Sequence, residues 1–457
     1  MKFCLKPLLG LALACLACMA GAQSPSPASP PASAAQAQPA PPPTVSASAR
    51  RLYERSKGQL LQIRTLLKTQ DSQASVGSGF LVSDDGHVVT NYHVISQFAL
   101  EPDSYRLRYA TTDGQSGALE LLDFDARRDL ALLRAVDDGK GAGLKGRGAL
   151  AFRPQTQPLA KGERIYSMGN PHDVAFAVVE GNYNGLVERS FDPLIYYAGG
   201  INPGMSGGPV LDEDGLVVGV NVSTMLFAQQ VSFLVPGQFA EAIVKRSLAA
   251  KPIRTAAWSR LREQLTRYQD ELVTRFLSAP WESANNDRYR LPVPKQDFMR
   301  CWGSSTAADT KGLEFERSQC RMDHALFVGG NLQTGWLDMS HEAYDGAKLG
   351  ALRFARQYSK SFRNERLGGS DKSRTAAHCK EQFVDRNGLP LRAVVCLRAY
   401  RKLDGLHDLS VLVTTVDAST QGALGRFDAR GVSFDNALKL AAHYLEGFAW
   451  TNSSKAK

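Results

Sequence analysis

The chain has 457 residues, and its 54 lysines and arginines outnumber its 45 aspartates and glutamates to give a formal net charge of +9. This length allows more than one domain. The basic excess comes with no nucleic-acid motif and no basic run interleaved with aromatic residues, so a nucleic-acid partner is not expected. Such a charge could hold an exported protein near anionic envelope polymers, but solubility with charges scattered over the surface is the favoured interpretation.

The first 22 residues are predicted to form a secretory signal peptide. A basic start, Met1–Lys6, precedes an apolar run from Pro7 to Met19 that is too short to span a membrane, and Ala20-Gly21-Ala22 fits a cleavage site. Cys15 and Cys18 each follow alanine, which leaves lipoprotein anchoring open, although neither has leucine at the third position before it. After cleavage at Ala22 no membrane segment is expected to remain, and the protein is expected to be periplasmic or secreted.

Residues 23–48 are rich in proline, alanine and serine, a composition that cannot bury enough apolar surface to fold. This segment is expected to be a disordered linker. A short helix is predicted over Ala49–Lys57, and a strand over Gln59–Leu67.

A histidine follows a predicted hairpin. Gly77–Ser83 is typical of a strand, Asp84-Asp85-Gly86 of a turn, and the next strand would carry His93 at its end. His87, at the tip of the hairpin, is expected to be structural.

An aspartate opens the apolar strand that begins at Leu130. Asp129 is therefore a candidate to orient a histidine, whereas Asp123 and Asp125 are expected to be solvated turn residues.

A candidate nucleophile lies on the glycine-rich turn Asn202–Pro209. Gly204 allows a tight backbone path, so the amides of Gly204 and Ser206 could point at the oxygen that becomes negative during acyl transfer. Ser206 would attack a carbonyl, His93 would take its proton, and Asp129 would hold the imidazole.

The order of these residues distinguishes two hydrolase folds. Gly204-x-Ser206-x-Gly208 also fits the nucleophile elbow of α/β-hydrolases, but that fold orders its triad as serine, acid and histidine. Here His93 and Asp129 precede Ser206, and short strands with glycine turns are typical of barrels.

Over residues 50–250 the chain resembles the trypsin-like serine proteases, and within them the HtrA-like bacterial branch. The resemblance is carried by Gly77–Phe80, Thr90–Val94, Asp129–Leu133, Gly204–Pro209 and Ser232–Pro236. It implies two six-stranded antiparallel β-barrels with an active site between them, in a protease domain over residues 49–250. It also implies polypeptide substrates, such as unfolded or damaged envelope proteins.

The same resemblance implies the specificity pocket and marks two departures. The floor of the S1 pocket would be formed by Ala198, Gly199 and Gly200, and its wall by Val222, Ser223 and Thr224. No aspartate lies at the floor, so apolar P1 side chains of small to medium size are expected. Met205 cannot make the ion pair that follows zymogen cleavage in digestive relatives, and Val222 replaces a hydroxyl that often supports the triad acid.

The remaining chain, residues 255–457, is predicted to be a separate α+β domain with a small antiparallel sheet. Helices are expected over Phe239–Leu248, Trp258–Phe276 and Phe434–Phe448, and strands over Ala325–Val328, Leu391–Tyr400 and Leu409–Val416. Neither a PDZ domain nor another known family is identified in this region.

Four of the seven cysteines lie outside the signal peptide, all of them in the C-terminal domain: Cys301, Cys320, Cys379 and Cys396. An even number in an exported chain predicts two disulfides with three possible pairings. Cys301–Cys320 and Cys379–Cys396 are favoured because each pair brackets a segment of hairpin size. A zinc site is disfavoured by the wide spacing.

The sequence therefore predicts an exported serine endopeptidase that acts through an acyl-enzyme and needs no metal or organic cofactor. A protease-fold binding or scaffold protein without activity is the alternative. In a further alternative the enzyme is active and its C-terminal domain inhibits it or recruits substrates.

Overall fold

A computed structural model describes residues 45–136, 143–224, 230–285, 288–307, 309–362 and 367–451. The predicted signal peptide and nearly all of the predicted linker lie outside the described residues. Among those that are described, no helix is long and apolar enough to cross a membrane.

Six α-helices lie in the described chain, and four of them were predicted to within three residues at each end. The other two, α2 and α5, were not predicted. The helices are α1 (Ala47–Ser56), α2 (Tyr92–Leu100), α3 (Gly237–Ser247), α4 (Trp258–Ser278), α5 (Ala351–Ser361) and α6 (Phe434–Glu446).

The first six strands form a closed antiparallel barrel, as predicted. They pair in the order β1-β2-β3-β6-β5-β4, and short polar turns such as Asp84–Gly86 join neighbours because Gly86 takes the left-handed φ of +82°. The strands are β1 (Leu60–Leu67), β2 (Gln73–Leu81), β3 (His87–Thr90), β4 (Tyr105–Thr111), β5 (Ser116–Asp125) and β6 (Leu130–Ala135).

The next six strands close a second antiparallel barrel in the order β10-β11-β12-β9-β8-β7. A buried apolar cluster joins the two barrels to α1 and α3, with Phe80 and Leu132 from the first barrel facing Tyr166 and Val220 from the second. The strands are β7 (Arg164–Gly169), β8 (Ala177–Leu186), β9 (Ile195–Ala198), β10 (Pro209–Leu211), β11 (Val217–Thr224) and β12 (Ser232–Pro236).

The C-terminal region combines helices with antiparallel strands, so the predicted α+β class is confirmed. Its main sheet has seven strands in the order β15-β16-β19-β23-β22-β21-β20, more than the small sheet expected. The separate-domain boundaries stay a prediction. The strands are β13 (Glu282–Asn285), β14 (Tyr289–Val293), β15 (Arg300–Ser305), β16 (Glu314–Arg321), β17 (Leu326–Gly329), β18 (Leu332–Thr334), β19 (Leu337–Asp345), β20 (His378–Arg386), β21 (Leu389–Ala399), β22 (Leu406–Thr415), β23 (Gln421–Ser433) and β24 (Ala449–Trp450).

Both favoured disulfides are present. Cys301 bonds Cys320 between β15 and β16, and Cys379 bonds Cys396 between β20 and β21. Each pair occupies directly opposed positions of two neighbouring strands. The bonds therefore attach both outermost strands of the seven-stranded sheet to their neighbours.

One continuous apolar core runs from the first barrel into the C-terminal region. It includes Tyr92 and Val94 of α2, Leu261 and Leu265 of α4, and Val328 of β17. The helix that carries His93 is thus packed from both sides, and this packing fixes the position of the candidate site.

Candidate active site

His93 and Asp129 are in contact. The imidazole Nδ1 lies 2.5 Å from Asp129 Oδ2, and the backbone N–H of His93 donates to Asp129 Oδ1 at 2.8 Å. His93 is the second residue of α2 rather than the end of a strand, because β3 ends at Thr90 and the helix begins after Asn91. Two hydrogen bonds to one carboxylate fix the orientation of the ring.

The backbone of Asp129 takes the left-handed conformation, with φ of +53°. Aspartate tolerates this conformation better than most residues with a Cβ. Its carbonyl oxygen accepts hydrogen bonds from Asn91 Nδ2 at 2.7 Å and from the Tyr92 amide at 3.2 Å. The start of α2 therefore holds the main chain of Asp129 while His93 holds its side chain.

The electrostatics of His93 follow from the same contact. Burial disfavours the imidazolium, but the negative charge of Asp129 and its hydrogen bond outweigh burial and raise the pKa of His93. The side chain is 29% exposed, and Nε2 has no hydrogen-bond partner among the residues that the structure describes. The ring is oriented on one side and accessible on the other.

The Ser206 turn depends on glycine at position 204. Gly204 has φ of +95°, and a Cβ there would lie 2.4 Å from the carbonyl oxygen of Asn170. Its own carbonyl accepts a hydrogen bond from Ser78 Oγ at 2.7 Å. Any other residue would be strained by its φ and would clash with the backbone at Asn170.

The amides on either side of Met205 have no acceptor in the described chain. The N–H groups of Gly204 and Ser206 donate no hydrogen bond there, whereas those of Met205 and Gly207 donate to Asn202 and Asn221. Gly204 and Ser206 are the two residues whose amides sequence reasoning selected for an oxyanion hole. An acceptor placed beside Ser206 could be bound by them without breaking an existing bond.

Met205 anchors the turn in the second barrel. It is completely buried and packs in an apolar cluster that includes Ile165, Tyr197 and Leu234. Apolar packing therefore holds residue 205, and with it the turn, against the second barrel.

The Ser206 turn and the His93 helix meet at β2. Ser78 N–H donates to the Ser206 carbonyl at 2.7 Å, and a Cβ at Gly77 would lie 2.4 Å from Val94 Cγ2 and 2.9 Å from that same carbonyl. Gly77 therefore lies between the Ser206 turn and the start of α2, and there is no room for a side chain at this position.

The hydroxyl of Ser206 is not bonded to His93. Ser206 Oγ donates to the Val222 carbonyl at 3.4 Å, a long hydrogen bond. Among the described residues, the side chain of Asp129 accepts hydrogen bonds from His93 and from no hydroxyl group. His93 and Asp129 are therefore brought together directly, and Ser206 lies in the adjoining turn with its hydroxyl directed elsewhere.

A cavity of about 480 Å³ opens beside His93. His93 and Asp129 line it from the first barrel and Val222 and Ser223 from the second, and the C-terminal region contributes residues 322–327. Ala198, Gly199 and Gly200 do not line this cavity, and the side chain of Thr224 is outside the described part. The S1 assignment stays a prediction.

Three residues near the site were missed or misjudged from the sequence. Asp123 is not a solvated turn residue: it lies inside β5, is 8% exposed, and accepts hydrogen bonds from Arg246, Ser247 and Arg260. Arg127, two residues before Asp129, pairs with Asp192 of the β8–β9 loop and Glu271 of α4. Nothing local in the sequence signals these long-range pairs.

Phe327 is the third missed residue. Its ring meets that of His93 edge to face, with centroids 6.1 Å apart and planes at 77°, although the two residues are separated by most of both barrels along the chain. His87, by contrast, is structural in its contacts, since its ring bonds Ser83 Oγ and the Leu248 carbonyl. No group of three or more potential metal ligands occurs among the described residues.

Comparison with known proteins places the likeness in the barrels. Residues 77–220 match the family described as the trypsin-like peptidase domain. A probable periplasmic serine endoprotease, DegP-like, from Chlamydia muridarum is 30% identical over 190 residues, 40% of this chain and 35% of that protein. The corresponding protein of Ectopseudomonas mendocina is 32% identical over 189 residues, 40% of this chain and 36% of that protein.

Among solved structures, the serine endoprotease from Yersinia pestis is similar with 20% identity and a TM-score of 0.37, covering 44% of this chain and 67% of that one. The chain spans about a third of the length of the curated relatives described above. The predicted resemblance to trypsin-like serine proteases of the HtrA-like branch is confirmed by the sequence matches.

Proposed function

We propose that this protein is an exported serine endopeptidase that hydrolyses peptide bonds through His93, Asp129 and Ser206. The observation that carries the proposal is the 2.5 Å contact between His93 Nδ1 and Asp129 Oδ2, which leaves Nε2 without a partner in the described chain. An imidazole held in this way is arranged to accept a proton from a hydroxyl.

In the proposed reaction the Ser206 hydroxyl leaves the Val222 carbonyl by rotation about its Cα–Cβ bond and donates to His93 Nε2. Ser206 Oγ then attacks the peptide carbonyl while its proton passes to His93. The imidazolium, stabilised by Asp129, returns that proton to the leaving amine as the peptide C–N bond breaks. Water, deprotonated by the same imidazole, hydrolyses the acyl-enzyme and regenerates Ser206.

The negative charge that develops on the carbonyl oxygen is proposed to be stabilised by the amides of Gly204 and Ser206. Both are free donors in the described chain, and buried Met205 between them fixes the turn. Donors that are already oriented need no reorganisation in the transition state, and one such donor contributes on the order of 10²–10³-fold in kcat.

The substrates are proposed to be unfolded or damaged polypeptides of the cell envelope. The two relatives described above are named probable periplasmic serine endoproteases, which supports a periplasmic or secreted location. Val222 and Ser223 line the cavity beside His93, which supports a small or medium apolar P1 residue. A peptide library cut mainly after arginine or lysine would contradict that preference.

The test is labelling by a fluorophosphonate probe, which reacts only with an activated serine. The wild-type protein is expected to be labelled and to cleave an unfolded protein, whereas Ser206→Ala should do neither, with only a residual acceleration of about 10³–10⁴-fold over water. Ser223→Ala, at an exposed serine of the same cavity, is the matched control and should still be labelled. Equal cleavage by wild type and Ser206→Ala would defeat the proposal.

An inactive binding protein with the same fold is the second candidate. The bond from Ser206 Oγ to the Val222 carbonyl, in place of one to His93, favours it, as does the missing hydroxyl beside Asp129. A wild-type protein that resists the probe while retaining a cooperative thermal unfolding transition would support this candidate and exclude the first.

A further inference from the structure

A hairpin of the C-terminal region lies along the cavity beside His93. We refer to residues 322–334, which include β17 and β18, as the cleft hairpin. Met322, His324, Leu326 and Phe327 of this hairpin all line the cavity. The cleft hairpin therefore forms part of the same surface as the proposed catalytic groups.

The cleft hairpin contacts both barrels. Phe327 meets the rings of His93 and Tyr92, with centroids 6.1 and 6.4 Å away, in the range of favourable edge-to-face contacts. Near its other end, the His324 ring meets that of Phe233 in β12 at 5.5 Å. The segment thus extends from the helix that carries His93 to the second barrel.

Hydrogen bonds fix this placement. The hydroxyl of Tyr92, the residue before His93, donates to the Val328 carbonyl at 2.9 Å, and Tyr92 and Val328 are both completely buried. At the base of the hairpin, the hydroxyls of Thr334 and Tyr400 are 3.0 Å apart, and Gly335 N–H donates to the Arg430 carbonyl at 2.9 Å. The hairpin is joined to α2 on one side and to the C-terminal sheet on the other.

The hairpin does not seal the site. The side chain of His93 remains 29% exposed, and the cavity retains about 480 Å³, within the range of roughly 300–1,000 Å³ typical of ligand sites. Phe327 touches the imidazole from the side and leaves Nε2 free of a protein partner in the described chain. The hairpin therefore forms one side of the cavity and does not cover the His93 side chain.

The cavity chemistry favours an apolar occupant. Phe327, Leu326 and Met322 of the hairpin line the cavity together with Leu194 and Val222 of the second barrel. Most of the charged residues of the lining are already paired: Arg127 with Asp192, Arg128 with Asp125, and Asp323 with Arg300. Arg189, which is exposed, is the exception. A charged substrate side chain would have few partners deep in this space.

We propose that the cleft hairpin is one wall of a substrate subsite beside His93, and that Phe327 makes this subsite selective for an apolar side chain. The subsite is distinct from the predicted floor of the P1 pocket, because Ala198, Gly199 and Gly200 do not line this cavity. The C-terminal region is then part of the substrate site. This inference rests on the proposed protease function.

The experiment compares full-length wild type with Phe327→Ala and Phe327→Leu on an internally quenched peptide library. Wild type should prefer an apolar residue at one position other than P1. The ratio of kcat/KM for leucine over alanine there should fall about tenfold in Phe327→Ala, since the loss of one apolar wall contact is worth about 10-fold or more. Phe327→Leu should keep most of the preference.

Two controls separate this effect from loss of fold or of chemistry. Phe383, a 72% exposed aromatic residue of β20, does not line the cavity, so Phe383→Ala should retain the wild-type preference. Labelling by a small fluorophosphonate, which does not fill the subsite, shows whether Ser206 is still activated, and every variant that keeps the wild-type thermal midpoint should still be labelled.

The outcomes distinguish the inference from the proposed function. If the wild-type protein is labelled but Phe327→Ala keeps the wild-type preference at every substrate position, the inference is overturned and the proposed function stands. The inference is also overturned if Phe327→Ala is labelled faster and cleaves all peptides faster by one common factor. That result would mean that the hairpin limits access to the site without selecting among substrates. Wild-type protein that is not labelled removes the proposed function and this inference with it.

Discussion

Asp129 and Gly204 are among the residues of the candidate site with left-handed backbones, and each is matched to its environment. At Asp129 the side chain is needed to contact His93. The backbone carbonyl oxygen of Asp129 accepts hydrogen bonds from Asn91 and Tyr92 at the start of α2. At Gly204 a side chain is excluded by the Asn170 carbonyl. The proposed base and oxyanion hole thus both depend on local backbone conformations that few residue types tolerate.

The raised pKa of His93 predicts how activity depends on pH. A general base must be neutral, so kcat/KM should fall as the pH drops through the raised pKa, with a midpoint above the 6.5 of an ordinary histidine. Asp129→Asn removes the charge that raises the pKa, so the His93 titration measured by NMR should move to lower pH. Activity should drop by on the order of 10⁴-fold because the tautomer is no longer fixed.

The pH profile of wild type and the NMR titration check this prediction separately. Asp125→Asn is the control, since Asp125 pairs with Arg128 and not with His93. A wild-type midpoint below 6.5, or an unchanged titration in Asp129→Asn, would contradict the assigned contact.

At the scale of elements, the seven-stranded sheet buries polar groups that strand patterns do not reveal. Strand β23 carries Arg426 and Asp428, which are 4% exposed each, among glycines and alanines. Strand β20 is exposed along most of its length and is attached to β21 by the Cys379–Cys396 bond. These strands were missed because neither shows an alternation of apolar and polar residues.

Strand β19 contains a histidine that should make stability depend on pH. His341 is 3% exposed, 3.1 Å from the Tyr444 hydroxyl of α6, and burial lowers its pKa to about 3. Between about pH 6.5 and pH 3, His341 is therefore protonated in the unfolded state but neutral in the folded state. The free energy of unfolding falls as the pH is lowered through this range. At pH 5 the loss is about 2 kcal/mol.

Urea unfolding of wild type and His341→Gln at pH 7 and pH 5 tests this value. The free energy of unfolding at pH 7 minus that at pH 5 should be about 2 kcal/mol smaller in His341→Gln than in wild type, whichever way the substitution changes stability at pH 7. His378→Gln, at an exposed histidine of β20, should keep the wild-type difference. An equal pH dependence in wild type and His341→Gln would rule out the predicted contribution.

At the scale of the whole molecule, the barrels and the C-terminal region share buried surface and hydrogen bonds. Ala257 N–H donates to the Ala99 carbonyl at 2.8 Å, and Gln264 of α4 bonds the main chain at both Phe124 and Ala126. The predicted boundary near residue 250 falls between α3 and α4, yet the apolar core continues across it. Separation there would expose Tyr92, whose ring meets that of Phe327 and whose hydroxyl donates to the Val328 carbonyl.

A chain ended at residue 250 should therefore unfold at a lower temperature than the full chain and aggregate more readily, because its exposed apolar surface lies on the helix of His93. Thermal unfolding followed by circular dichroism measures this. A chain that begins at residue 45 and retains the C-terminal region is the control and should keep the full-length midpoint. Equal midpoints for the chain that ends at 250 and the full chain would contradict the shared core.

Much of the candidate site was predictable because its signals are local. The turn around Ser206 and the apolar strand that follows Asp129 can each be identified from a few adjacent residues, and the spacing of four cysteines selected the correct disulfides. Phe327 and Asp123 could not be predicted in this way. Their partners are distant in sequence, and an aromatic residue in a short strand is equally compatible with an ordinary core position.

The position of the cleft hairpin has a consequence for biosynthesis. Protein chains grow from the N-terminus at roughly 5–20 residues per second, and domains fold as they emerge. The second barrel ends at Pro236 and the cleft hairpin at Thr334, so about 5–20 s of elongation separate them. During that interval a nascent molecule would carry the proposed catalytic residues but lack the wall that we propose makes them selective.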